Sequence, residues 1–152
     1  MTRLGRTLAF MVGYGGLLTT LSACGHMMMH HPDKQGAITA RQNAMKAIGA
    51  ASAALRNPAL DAATARSTGA TINQNLKVFA ANLPKGSGPE SGLTTKAKSE
   101  IWTSSASFNT ALNAGLSASQ ALATTTGDPA TVQAQARALT QACAGCHTNY
   151  RS

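Results

Sequence analysis

The chain has 152 residues, room for one domain. Its formal charge is +8, yet the 13 Lys and Arg stand singly, with no basic run and no interleaved aromatics, so the pattern of a nucleic-acid surface is missing. The five acidic residues (Asp33, Asp61, Glu90, Glu100 and Asp128) form no pair that would serve hydrolytic catalysis.

Met1 to Ala23 reads as an export signal, with Arg3 and Arg6 as its charged start and Leu8 to Leu21 as an uncharged, mostly apolar stretch. That stretch is too short and too interrupted by Gly and Thr to read as a membrane span. Removing it leaves a charge of about +6, a mildly basic surface suited to steering an acidic protein partner. Leu21-Ser22-Ala23-Cys24-Gly25 resembles a bacterial lipobox. By that resemblance Cys24 carries lipid on its sulfur, becomes the mature N-terminus and anchors the chain to a membrane. Ordinary cleavage nearby, leaving Cys24 as a spare thiol, is the alternative. Residues 24–36 read as a tether. His26, Met27, Met28, Met29, His30 and His31 within it combine imidazoles and thioethers that suit copper, or they serve only as a spacer.

Four apolar seams with steps of three and four follow, which is helical periodicity. The first is Ile38, Arg41, Met45, Ile48, Ser52 and Leu55, closed by Asn57-Pro58. The second is Ala65, Gly69, Ile72, Leu76, Phe79 and Leu83, closed by Pro84, after which a Gly/Pro/Ser-rich loop runs to about residue 95. The third, expected as one continuous helix, is Ile101, Ser105, Phe108, Leu112, Gly115, Ser119 and Leu122. The fourth is Val132, Ala136, Leu139, Cys143, Cys146 and Tyr150, with Asp128 as N-cap and Pro129 at the first helical position. No stretch alternates long enough to be a strand. Trp102 and Phe108 read as core, Tyr150 as interfacial. Gly49 and Gly69 either admit a close neighbour or are simply tolerated. Short connections between four such helices give an all-α, antiparallel up-down-up-down bundle spanning 37–152.

Cys143-Ala144-Gly145-Cys146-His147 closes the last seam. Cys-x-x-Cys-His is the attachment pattern of c-type haem: two thiols add to the porphyrin vinyl groups, and the adjacent imidazole reaches the iron. Positions three apart share a helix face, so both sulfurs meet one macrocycle edge. A redox dithiol opens a helix after a strand, and a zinc site needs further ligands, whereas His26, His30 and His31 all lie in the tether. Aromatics make up 4% of the chain, and a buried porphyrin would supply the apolar surface that so few large side chains leave wanting. In an antiparallel bundle the first helix begins near the end of the fourth. Met45 can therefore approach the iron from the side opposite His147.

At residues 37–152 the sequence resembles the class II cytochromes c, the cytochrome c′ and c-556 family. The resemblance is carried by the C-terminal motif followed by Thr148-Asn149-Tyr150-Arg151, by Arg41-Gln42 in the first helix, and by Lys96-Ala97-Lys98-Ser99-Glu100-Ile101-Trp102 with Phe108. It implies one covalent haem c on Cys143 and Cys146, His147 as proximal ligand, and Arg151 beside that ligand and the haem edge. As a cation, Arg151 would equally complement the C-terminal dipole of the helix. Met45 falls at the family's distal position. In the c-556 branch such a Met is the sixth ligand of an electron carrier, which the string Met45-Lys46-Ala47-Ile48-Gly49 favours. In cytochromes c′ the distal residue shields an iron that takes nitric oxide or carbon monoxide. The expectation is therefore periplasmic electron transfer with redox protein partners through His147 and Met45, with gas binding as the alternative and no enzymatic reaction. A homodimer through the first two helices is implied as well.

Overall fold

The structure, a computed structural model, describes residues 33–152. The expected export signal, Cys24 and the His/Met stretch lie outside those residues. The described chain forms α1 (Lys34–Ala51), α2 (Ala62–Ala81), α3 (Glu100–Thr103), α4 (Ser105–Ala123) and α5 (Pro129–Tyr150).

Three of the five acidic residues are spent on helix starts. Asp33 accepts the amides of Gln35 and Gly36, Asp61 those of Ala63 and Thr64, and Asp128 that of Thr131. These bonds satisfy amides that have no partner within the helix. Because Asp33 caps, α1 begins at Lys34, inside the stretch expected as tether. At its other end α1 stops at Ala51, where the Ser52 hydroxyl donates back to the Ile48 carbonyl at 2.7 Å, and a short 3-10 turn (Ala54–Arg56) follows.

The third helix is not continuous. It breaks at Ser104, whose φ of −120° and ψ of 46° leave the helical region. Thr103, Ser104 and Ser105 follow one another there, and the Thr103 hydroxyl bonds the Ser99 carbonyl at 3.3 Å. Hydroxyl side chains compete with the backbone for its hydrogen bonds and weaken a helix locally. The ladder resumes at once, Phe108 N–H donating to Ser104 O at 3.0 Å, so α3 and α4 act as one kinked helix. The result is the four-helix bundle that the seams implied.

The expected seams are the buried faces. Ile38, Ile48, Ala65, Ile72, Leu76, Phe79, Ile101, Phe108, Leu122, Val132, Ala136 and Leu139 are all buried. Tyr150, expected at an interface, is buried instead, its ring edge-on to Phe108 at 5.2 Å. The α2–α4 contact is the tightest: a Cβ on Gly69 would lie 2.5 Å from the Ala123 backbone nitrogen, so only glycine admits this approach. Asn73 beside it donates to Leu116 O at 2.9 Å and to Ser119 Oγ at 3.0 Å. Neighbours in the ring pack as α1 on α2, α2 on α4 and α4 on α5, whereas the α1 and α5 backbones stand further apart.

The caps carry a pH signature. The hydrogen bonds each accepts hold the Asp61 and Asp128 carboxyls below their ordinary value of 3.8. A depressed folded pKa gives stability that is present above 3.8 and lost as pH falls through the folded value. Asp61→Ala is therefore expected to lower Tm at pH 6, with the difference from wild type shrinking as pH falls below 3.8. A Tm gap that persists in acid would mean that the charge is not what caps α2.

Candidate cofactor site

The last two turns of α5 carry Cys143, Cys146 and His147. Both sulfurs are free thiols and half-buried. Cys143 packs on the apolar cluster of Ile48, Ile72 and Leu139, and Cys146 on that of Ala44, Phe108 and Tyr150. Burial pushes both thiols up, and repulsion from Cys143 adds to this at Cys146, so both are held as neutral S–H. His147 lies on the exposed side of the helix, yet partial desolvation, then the Arg151 charge, pull its imidazole below the ordinary value. Both effects favour the neutral ring, the form that can donate a lone pair to a metal.

Arg151 is exposed and lies just past the helix end. Its N–H donates to His147 O at 3.2 Å, and its extended backbone forms an antiparallel bridge with Ala97. Across the bundle, Met45 is half-buried on α1 and packs against both apolar clusters. One turn on, a Cβ at Gly49 would meet nothing within 4 Å, so no close neighbour requires that glycine.

The wider spacing of the α1 and α5 backbones gives the site its shape. Three neighbouring pairs in the four-helix ring pack closely, and the fourth pair, α1 with Met45 and α5 with the thiols, is joined through shared apolar clusters. A flat apolar plate held by two sulfurs along one edge, with an imidazole beneath it, suits this arrangement. Among the described residues no three His, Cys, Asp or Glu converge on a metal site, and no helix is long and apolar enough to cross a membrane.

The sequence placed Arg41 in the first seam and in the Arg41-Gln42 pair but did not reveal its surroundings. Only 2% exposed, it donates to Ser87 Oγ at 2.8 Å, Ser87 O at 2.6 Å and Thr95 Oγ1 at 2.9 Å. Its guanidinium also stands 5.6 Å from the Trp102 ring centroid, and the Trp102 indole N–H donates to Leu83 O at 3.2 Å. Burial lowers its pKa and Glu90 opposes that shift. An arginine inside an apolar seam was the available signal.

Residues 36–151 match the family model described as Cytochrome C′. Among solved structures, cytochrome c′ from Rubrivivax gelatinosus is similar with a TM-score of 0.71 and 26% identity, covering 80% of this chain and 98% of that one. Cytochrome c prime from Shewanella frigidimarina gives 0.70 at 22% identity, with the same 80% and 98% coverage. A variant of cytochrome c prime from Alcaligenes xylosoxidans, complexed with nitric oxide, gives 0.67 at 21% identity, again covering 80% and 98%. At the identities of the last two, the likeness speaks for the fold alone. No curated protein sequence matches the chain.

Proposed function

Since the chain belongs to the cytochrome c′ family, whose members hold one covalently attached c-type haem, we propose that it binds a small diatomic gas such as nitric oxide or carbon monoxide at that haem. When bound, the haem would supply an iron able to take such a ligand. The observation that supports the reading is Met45: it is half-buried on α1 and packed against both core clusters, the same clusters that Cys143 and Cys146 pack on. Ligation by Met45 in an electron carrier becomes the second reading.

Cys143 and Cys146 would hold the porphyrin edge through thioethers, the S–H of each adding across one vinyl group with nothing expelled. His147 takes the proximal side, its neutral ring favoured by desolvation and by Arg151. Arg151 in turn is held beside His147 by the backbone bond at 3.2 Å and by its bridge to Ala97. The lipobox-like Leu21–Gly25 supports a periplasmic, lipid-anchored chain, and the net positive charge supports an acidic redox protein as the reductant.

The visible spectrum of the holoprotein tests this. A high-spin spectrum that shifts on adding carbon monoxide to the ferrous protein is expected, and Met45→Ala should tighten carbon monoxide binding by about tenfold, about 1.4 kcal/mol. A low-spin spectrum indifferent to carbon monoxide would instead make Met45 the sixth ligand and electron transfer the function.

A further inference from the structure

Beside the apolar clusters that α1 and α5 share, hydrogen bonds running through other segments tie the two helices at each end. At the end where α5 begins, Gln133 Nε2 donates to Asn57 O at 3.0 Å and Pro58 O at 3.1 Å, in the turn that follows α1. At the end where α5 finishes, the tie starts from Arg41 on α1. Its guanidinium grips the α2–α3 loop at Ser87 and at Thr95 Oγ1, and that same hydroxyl accepts the Ala97 amide at 3.1 Å. The next residues are bonded to the end of α5. Lys98 N–H donates to Tyr150 O at 3.0 Å, Ser152 N–H to Lys96 O at 3.0 Å, and Lys98 Nζ to Thr148 O at 3.2 Å. Thr95 is thus the joint of a relay from Arg41, one turn before Met45, to the residues that flank His147.

We propose that Arg41 is a positioning residue: through Thr95 and residues 96–98 it sets the distance between the helix bearing Met45 and the helix bearing His147, and so the room for a second ligand at the haem. The inference rests on the haem reading above. A buried cation facing neutral acceptors is expensive, and an apolar side chain would fill this seam at lower cost. What an apolar side chain lacks is a planar fork of five donors, which alone can hold Ser87 and Thr95 together. Lysine at this position would present a single point charge on a flexible stem and lose one of the two grips.

The test is made on the holoprotein with Arg41→Lys and, separately, Thr95→Val, which keeps the shape of the side chain and removes its hydroxyl. Amide hydrogen exchange at Lys98 and Ser152 is expected to quicken by about tenfold or more in both variants while amides in mid-α2 keep their rates. The carbon monoxide dissociation constant of the ferrous protein is expected to change by at least about fivefold, in the same direction in both. Uniform acceleration across all helices with an unchanged dissociation constant would overturn the proposal, because Arg41 would then only support the fold. Unchanged exchange at Lys98 and Ser152 would overturn it as well. Thr95→Val keeps the question decidable if Arg41→Lys fails to fold. If the wild-type protein takes no carbon monoxide, the gas-binding reading fails by itself, and the exchange rates alone decide whether the relay exists.

Discussion

Replacing Cys143 and Cys146 together by serine is expected to leave no haem on the chain after denaturing electrophoresis, against one per chain in the wild type. The reason is chemical and positional. The two sulfurs lie three residues apart on one face of α5, each half-buried against a different apolar cluster, so both could meet one edge of a bound porphyrin. Serine offers a hydroxyl of similar shape that forms no thioether. His147 would remain, but an axial bond from an imidazole is reversible and is lost when the fold opens. Either single variant keeps one thioether and should retain haem on the gel. Losing a cofactor that binds only the folded state removes its stabilisation, so Tm of the double variant is expected to fall. Haem that stays on the doubly substituted chain through denaturation would show that attachment is elsewhere, and the site would have to be redrawn.

The second large effect lies far from the thiols. Gly69→Ala would put a Cβ 2.5 Å from the Ala123 nitrogen, 2.8 Å from the Ser119 oxygen and 2.9 Å from the Leu122 carbonyl carbon. All three are backbone atoms of the facing chain, so no side chain can swing away to make room. The helices have to separate, which disturbs the neighbouring Asn73 bonds to Leu116 and Ser119. A cost of about 3 kcal/mol is expected, at the upper end for overpacking. For a domain of this size that corresponds to a fall in Tm of about 10 °C or more. Thermal unfolding followed by circular dichroism reads it directly, and an unchanged Tm would mean that α2 and α4 do not approach so closely.

Much of this protein was legible before any fold was known, because the determining interactions are local. Helical periodicity named the faces that are buried, down to Ile38, Ile72, Leu122, Val132 and Leu139. Asp128-Pro129 marked the start of α5 because a cap and its amides lie within three residues. The pattern from Cys143 to His147 carried its chemistry in its own spacing. Where reading failed, the cause was competition or distance. The break at Ser104 comes from a contest between hydroxyls and backbone that periodicity does not register. The Tyr150 ring is buried because Phe108 stands beside it, 42 positions earlier in the chain.

The sequence alone determined the helices and their inward faces, since each depends on neighbours within a turn or two. Only the tertiary structure decided how those faces meet. Arg41 finds Ser87 and Thr95 at separations of 46 and 54 residues, a pairing that no local pattern encodes. Three helix contacts close tightly, one of them because Gly69 has no side chain, while the α1 and α5 backbones stand further apart. That spacing depends on how four helices share a limited apolar surface. It is a property of the whole packing, which the sequence of any one helix does not contain.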